Sequence, residues 1–350
     1  MIQARSLGRI LLPVVGALAV AVLLILLVGE SPFEALWAIV DGGVGNASRL
    51  GDTLTAWTTL SLAAAGLAIT FTAGLWNIGV EGQVIAGAIA ASFVAREIAA
   101  PTPVMVVLTL LAGFIGGAAW ALLAGLLKVK GKVNEIFGGL GLTFVAISLS
   151  TYLIIGPWQR EGVASTSGTD PFPRDSWLPT LGDLRVSLVS IVVAVTVLVA
   201  VYILLRGTRF GLRLRAVGQN LQSSALFGIA NTRYLLTAFM LGGGLAGLAG
   251  AIRVTGFYHK LVSGPGGGHG YLGILIILLA AYKAKWIAPL AFFFAVVSVG
   301  ASQLPLRMQI DASLGGIVRS VLVLFVLLAG GWQARRVASR RRDESEEVAA

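Results

Sequence analysis

The chain has 350 residues, 57% of them hydrophobic and 12% charged, with a mean hydropathy of +0.88. Soluble domains carry about 25% charged residues, so this composition excludes a water-exposed globule and requires a bilayer as solvent. The absence of cysteine, with only two histidines, excludes disulfides, thiolate metal sites, a cysteine nucleophile and a histidine-rich metal site, while the net charge of +10 must be read from where the basic residues fall.

Uncharged runs of about 20 residues match the hydrocarbon thickness of a membrane. In chain order they are Ile10–Gly29, Thr53–Val80, Gly82–Ala95, Ile98–Leu127, Ile136–Gln159, Val186–Leu205, Tyr234–Ile252, Leu261–Tyr282, Trp286–Leu306 and Ala312–Ala334, the last broken only by Arg319. The expected fold is therefore all-α and polytopic, with about ten transmembrane helices. Residues 1–9 form a short amino-terminal segment, 10–334 one helical bundle and 335–350 a charged tail. The first run exceeds the apolar length of a secretory signal and reads as an anchor.

With the amino terminus inside, the inner segments hold Arg5, Arg9, Lys128, Lys130, Lys132, the arginines from Arg206 to Arg233, Lys283, Lys285 and the arginines of the tail. Most acids, among them Glu34, Asp41, Asp52, Asp170 and Asp175, fall outside. This asymmetry places both termini in the cytoplasm and accounts for the basic total with membrane lipid, and no nucleic acid, as partner. Ser31–Asp52 and Gly156–Arg185 are the long outward connections, the second rich in Pro and Gly and expected to be irregular. Five spans precede the second connection and five follow it, which allows an inverted repeat.

Four segments break the apolar pattern. In Trp76-Asn77-Ile78-Gly79-Val80-Glu81-Gly82-Gln83, the uncharged stretch after Glu81 is too short to cross a bilayer, so Glu81 lies within or at the edge of a span. On a helix, Asn77 and Glu81 share a face. Asn77, Glu81 and Gln83 are candidates to shape a solute pathway through a broken helix; a structural carboxylate fixing a helix junction is the competing reading. Gly243 and Gly247 have the spacing for close helix packing, and the glycine run from Gly264 to Gly270 suits a hinge or re-entrant element. No P-loop pattern is present, so no ATP site is expected in this chain. Between Arg206 and Arg233, Asn220 can cap a short helix and Gly228 can end it, forming a knob for a soluble partner or a helix lying on anionic lipid. Asn134-Glu135 similarly opens a span, with the acid favoured by the helix dipole.

Gly74 to Gln83, Lys132-Val133-Asn134-Glu135-Ile136, and Arg215-Ala216-Val217-Gly218-Gln219-Asn220 through Gly228-Ile229 together resemble the permease subunits of ABC importers. The branch is that of simple sugars and purine nucleosides, within the branched-chain amino acid and ribose permease superfamily. Trp76, Gln219, Leu221, Gln222, Ser223 and Ser224 stand where that family commonly has other residues. The resemblance implies a non-enzymatic transport subunit in a bacterial plasma membrane whose coupling helix uses Gly218, Gln219, Asn220, Leu221, Gln222, Ser223, Ser224 and Gly228. It further implies a cytoplasmic ATPase that binds ATP and Mg, a second permease subunit, and an extracellular or periplasmic solute-binding protein. The implied cargo is a neutral polar solute such as a nucleoside. A permease for ribose-like sugar, branched-chain amino acid or vitamin is one alternative, and an ion-coupled transporter using Glu81 is another.

Overall fold

The computed structural model describes residues 31–160, 162, 167–182 and 184–308, together with Leu26 and Ser320. Apart from those two single residues, the expected spans Ile10–Gly29 and Ala312–Ala334, and also the segments 1–9 and 335–350, lie outside the described residues. Six helices among the described residues are long and apolar enough to cross a membrane. They correspond to six of the expected runs, and two further runs form the shorter helices described below.

The chain divides into two compact units, one of them Leu50–Ala295; residues 31–49 and 296–308 belong to the other. In the latter, Ser31 and Pro32 start helix α1, Pro32–Val44, and Ala35, Ala38 and Ile39 pack on Ala301 and Leu304 of the last described helix, α11, Ile287–Met308. The connection expected between Ser31 and Asp52 is thus largely helical. Glu34 and Asp41 interrupt the uncharged run there and hide an apolar stripe at helical spacing.

At the centre of Leu50–Ala295 is α2, Ala47–Thr72, whose Thr53, Thr55, Thr58, Thr59, Ser61 and Thr70 are all buried. A helix buried on every side carries hydroxyls at a cost unless each finds a partner. Thr58 and Thr59 donate to the Thr55 and Ala56 carbonyls at 2.8 and 2.9 Å, which satisfies these two within the helix, whereas Ser61 Oγ has no hydrogen-bond partner among the described residues. The run Thr53–Val80 is not one helix: it ends at Thr72, crosses a non-helical segment and resumes as α3, Val80–Glu97. The expected span Gly82–Ala95 lies inside α3.

Around this centre pack α4, Thr102–Val129, α5, Glu135–Ile155, and α9, Asn231–Arg253. Small residues let α4 and α9 meet closely. A Cβ on Gly247 would lie 2.8 Å from the Gly117 Cα, and one on Gly243 would lie 2.6 Å from the Gly117 carbonyl oxygen. Asn134 accepts the Ile136 N–H at 2.9 Å to start α5, and Lys128 pairs with Glu135 at 2.6 Å across the preceding turn.

The connection 156–185 is ordered where it is described. A short ribbon of β1, Thr180–Leu181, and β2, Leu184–Ser187, leads into α6, Leu188–Gly207. The N–H groups of Thr169, Phe172 and Leu178 donate to the carbonyls of Leu261, His259 and Thr255 at 2.9, 2.8 and 3.1 Å. A segment rich in proline reads as irregular in sequence, yet here its backbone is satisfied by a distant one. That partner begins in a π-helical turn, Val254–Tyr258, and only His269–Leu279 of the expected span Leu261–Tyr282 is helical, as α10.

Candidate functional site

The two glycine-rich breaks meet at Glu81. The first begins after α2, where Gly74 adopts φ +74° and the Leu75 N–H returns to the Thr70 carbonyl at 3.0 Å. Gly79 then precedes α3, placing Glu81 in the first turn of that helix. The second break is the segment Ser263–Gly268, with Gly264, Gly267 and Gly268 all at positive φ. Its Gly268 N–H donates to one carboxylate oxygen of Glu81 and the Gly270 N–H to the other, each at 2.8 Å. Backbone donors at the start of α10 thus hold a carboxylate in the manner that glycine loops hold anions.

Opposite the carboxylate stands a buried cation. The Arg253 guanidinium donates to the Pro265 carbonyl at 2.6 Å, lies 3.0 Å from the His269 Nε2 and bonds the Tyr258 hydroxyl. The Gly266–Gly268 backbone runs between the two charges. A Cβ at Gly266 would meet the Glu81 carboxyl carbon at 2.7 Å, and one at Gly267 would meet Arg253 Nη2 at 2.8 Å. Only glycine fits in this gap.

Asn77 and Gln83 form a separate pair. Asn77 Nδ2 donates to Gln83 Oε1 at 2.9 Å and Gln83 Nε2 donates back to Asn77 Oδ1 at 2.8 Å. The expectation that Asn77 and Glu81 share a helix face does not hold, because Asn77 lies in the break, before α3 begins. All three side chains are enclosed, at 1, 5 and 1% exposure for Asn77, Glu81 and Gln83. The structure therefore pairs Asn77 with Gln83 and places Glu81 apart from them on the Gly268 and Gly270 N–H groups, with their polar atoms engaged by protein.

The segment 206–233 folds into α7, Arg209–Gln219, and α8, Leu221–Leu226. Asn220 accepts the Gln222 and Ser223 N–H groups at 2.9 Å each, and Gly228 takes φ +73° after α8. Gly218 and Gln219 thus close α7 and precede α8, which is shorter than the sequence pattern indicates. Ser224 is buried and donates to Asn231 Oδ1 at 2.9 Å, while Asn231 Nδ2 donates to the Leu221 carbonyl at 2.7 Å, latching α8 to the start of α9. Leu226 and Phe227 are 89 and 85% exposed. The base of this knob touches the first break: a Cβ at Gly74 would lie 2.9 Å from the Gly218 carbonyl oxygen.

The sequence matches the family described as branched-chain amino acid transport system / permease component over residues 49–327. The chain belongs to that family. Its relatives include a glucose ABC transporter permease of Haloferax volcanii, 30% identical over 94% of this chain and 89% of the other. A guanosine ABC transporter permease of Bacillus subtilis is 27% identical over 92% of this chain and 94% of its own length. A nucleoside ABC transporter permease of Lactococcus lactis is 26% identical, with coverage of 83 and 82%. The chain is accordingly a multi-pass membrane permease component, and all three motif segments lie within the matched residues.

Two features of this permease were not visible as site residues in its sequence. Arg253 directly follows an uncharged run, and nothing local indicates that its partners lie at the end of the π-helical turn and beyond it. Trp177 stacks on His259 with ring centroids 3.9 Å apart, although 82 positions separate them (259 − 177). The signal for the first was a cation at the end of an apolar run, which is costly unless partnered.

Proposed function

We propose that this permease is the membrane subunit of an ATP-driven importer for a neutral polar solute of the nucleoside class. In this reading both termini are cytoplasmic, α8 docks on a separate ABC ATPase that binds ATP and Mg, and a second permease subunit completes the pathway. A solute-binding protein delivers cargo to the opposite face. The observation that carries the reading is the capped, latched α8, whose Leu226 and Phe227 are bare to solvent while its base at Gly218 abuts the break that leads to Asn77 and Glu81. Apolar side chains so exposed on a rigid projection fit a hydrophobic cleft on a soluble partner.

Movement of α8 reaches the break through the Gly218–Gly74 contact. Asn77, Glu81 and Gln83 act in this scheme as joints that keep the two broken segments registered as the pathway alternates. Gly243 and Gly247 hold α9 against α4 as a fixed wall. The engagement of both Glu81 oxygens by backbone N–H groups supports a structural carboxylate over one that binds a proton or sodium ion.

The names of the relatives divide between nucleosides and glucose, and a sugar permease is the second reading. Uptake into proteoliposomes separates them. Vesicles holding this chain, its second permease and its ATPase, supplied with the cognate binding protein, are expected to accumulate guanosine or adenosine when ATP is enclosed. Accumulation of glucose alone would replace the nucleoside assignment, and uptake driven by an ion gradient without ATPase would end the importer reading.

A further inference from the structure

At the arginine-rich end of the bundle, four basic side chains from three elements surround one cavity of about 560 Å³. Arg206 comes from the end of α6, Arg215 from α7, and Lys283 and Lys285 from the connection between α10 and α11. Among the described residues, the cavity lining contains no Asp or Glu. Sequence makes that lack regional, since no acidic residue occurs between Asp183 and Asp311. Like charges gathered together repel, and their convergence around a concave surface is the arrangement that an anion stabilises.

The walls are built for more than bare charge. Arg215 Nη2 donates to the Leu205 carbonyl at 2.8 Å, which fixes the guanidinium and leaves other N–H donors of its fork in hand. Arg206 packs on the Tyr202 ring at 5.5 Å and donates to its hydroxyl at 3.4 Å. Phe71 and Tyr282 meet edge to face at 5.9 Å and add an apolar wall. The turn that delivers Tyr282 and Lys283 is strained: Ala281 and Tyr282 are consecutive residues at φ +48° and +61°. Side chains rarely occupy that region, and such strain gathers where a ligand is gripped. The volume lies in the range of small-molecule sites.

We propose that this cavity binds a phosphate ester, supplied as a free phosphorylated metabolite or as the headgroup of an anionic lipid. Arginine forks and lysine ammonium groups recognise the phosphoryl oxygens, and the aromatic wall takes the organic part of the ligand. The occupant ties α6, α7 and the α10–α11 connection together beside Gly218, so it braces the base of the knob formed by α8. The site is independent of which solute the permease carries, and equilibrium binding tests it without transport.

The experiment uses the full chain in nanodiscs of phosphatidylcholine, with 5′-AMP as the free ester and adenosine as its uncharged control. Binding is followed by calorimetry and by the fluorescence of Trp286, which lies against Lys285. AMP is expected to bind saturably and at least about tenfold more tightly than adenosine, weakening as salt screens the charges. Lys283→Gln with Lys285→Gln, two exposed positions, should lower that affinity by about tenfold or more while the melting temperature stays unchanged. In the second arm, nanodiscs contain phosphatidylglycerol, and native mass spectrometry counts the lipids retained by wild type and by the double variant. Retention that depends on the two lysines, without AMP binding, assigns the site to a headgroup. If neither AMP nor phosphatidylglycerol binds in a lysine-dependent way, the phosphate site is overturned.

Discussion

A carboxylate oxygen of Glu81 accepts the Gly270 N–H at 2.8 Å across 189 positions of sequence. The other oxygen takes the Gly268 N–H, so one side chain closes both breaks. Replacing Glu81 with Gln keeps the size but leaves one acceptor oxygen for two donors, and an NH₂ then faces an N–H. A buried donor left unpaired costs about 1–3 kcal/mol. Glu81→Gln is expected to lower the melting temperature and the uptake rate together, and Gly270→Ala, whose Cβ would lie 2.7 Å from Glu81 Oε2, should do the same. A Glu81→Gln protein with wild-type melting and uptake would remove the carboxylate from the joint.

Asn77 and Gln83 satisfy one another, so their effects should not add. Asn77→Ala or Gln83→Ala alone strands a buried amide and should destabilise by about 1–3 kcal/mol. The double change removes both amides and should cost less than the sum, with a coupling of about 0.5–3 kcal/mol in a double-mutant cycle. Thermal melts of the four proteins in detergent measure it. Strict additivity would mean that the pair does not exist in the membrane.

How far this fold can be read from sequence depends on which residues interact locally. Apolar length alone locates α4, α5, α6 and α9, because the bilayer requires it of any spanning helix. The break in Thr53–Val80 contains no charge, so hydropathy runs through it, and Gly74, Asn77 and Gly79 are its local marks without fixing where α2 stops. Assuming helical periodicity across that stop placed Asn77 beside Glu81, whereas its partner is Gln83. The caps at Asn134 and Asn220 are local and legible. The holders of Glu81, the ladder from Thr169 to Leu261 and the Trp177–His259 stack are tertiary pairings between segments that carry no complementary pattern.

The α4–α9 seam gives a packing test. A Cβ on Gly247 would sit 2.8 Å from Gly117 Cα and 2.9 Å from its nitrogen, so relief requires backbone movement. Gly247→Ala should destabilise by about 1–3 kcal/mol. Gly141→Ala on α5, where a Cβ would meet no described atom within 4 Å beyond its own helix backbone, should be neutral or stabilising by up to about 1 kcal/mol. Melting temperatures of the two variants measured side by side decide the matter, and equal values would show that the seam is loose.

On α8, contact and latch can be separated. Leu226→Ser with Phe227→Ser alters only exposed side chains, so the melting temperature should hold while ATPase co-purification and ATP-driven uptake fall. Ser224→Ala removes the bond to Asn231 Oδ1 instead and should cost about 0.5–1.5 kcal/mol of stability. Retained ATPase binding by the double serine variant would take the docking role away from the exposed tip.

His259 makes the loop 167–178 sensitive to acid. Burial pushes its pKa below the ordinary 6.5, partly opposed by the hydrogen bond to the Thr255 carbonyl, so the folded protein favours the neutral ring against Trp177. When the pH drops under 6.5, the unfolded chain takes up a proton before the folded one does. The histidine's contribution to stability is therefore complete above that value and declines as pH falls toward the lowered folded pKa, where the loss levels off. Trp177 fluorescence and proteolysis of the loop, followed from pH 7.5 down to about 5, should report loosening in wild type. His259→Phe keeps an aromatic partner for Trp177 without the titration and should flatten the profile. An acid transition of unchanged size in that variant would assign the sensitivity to another group.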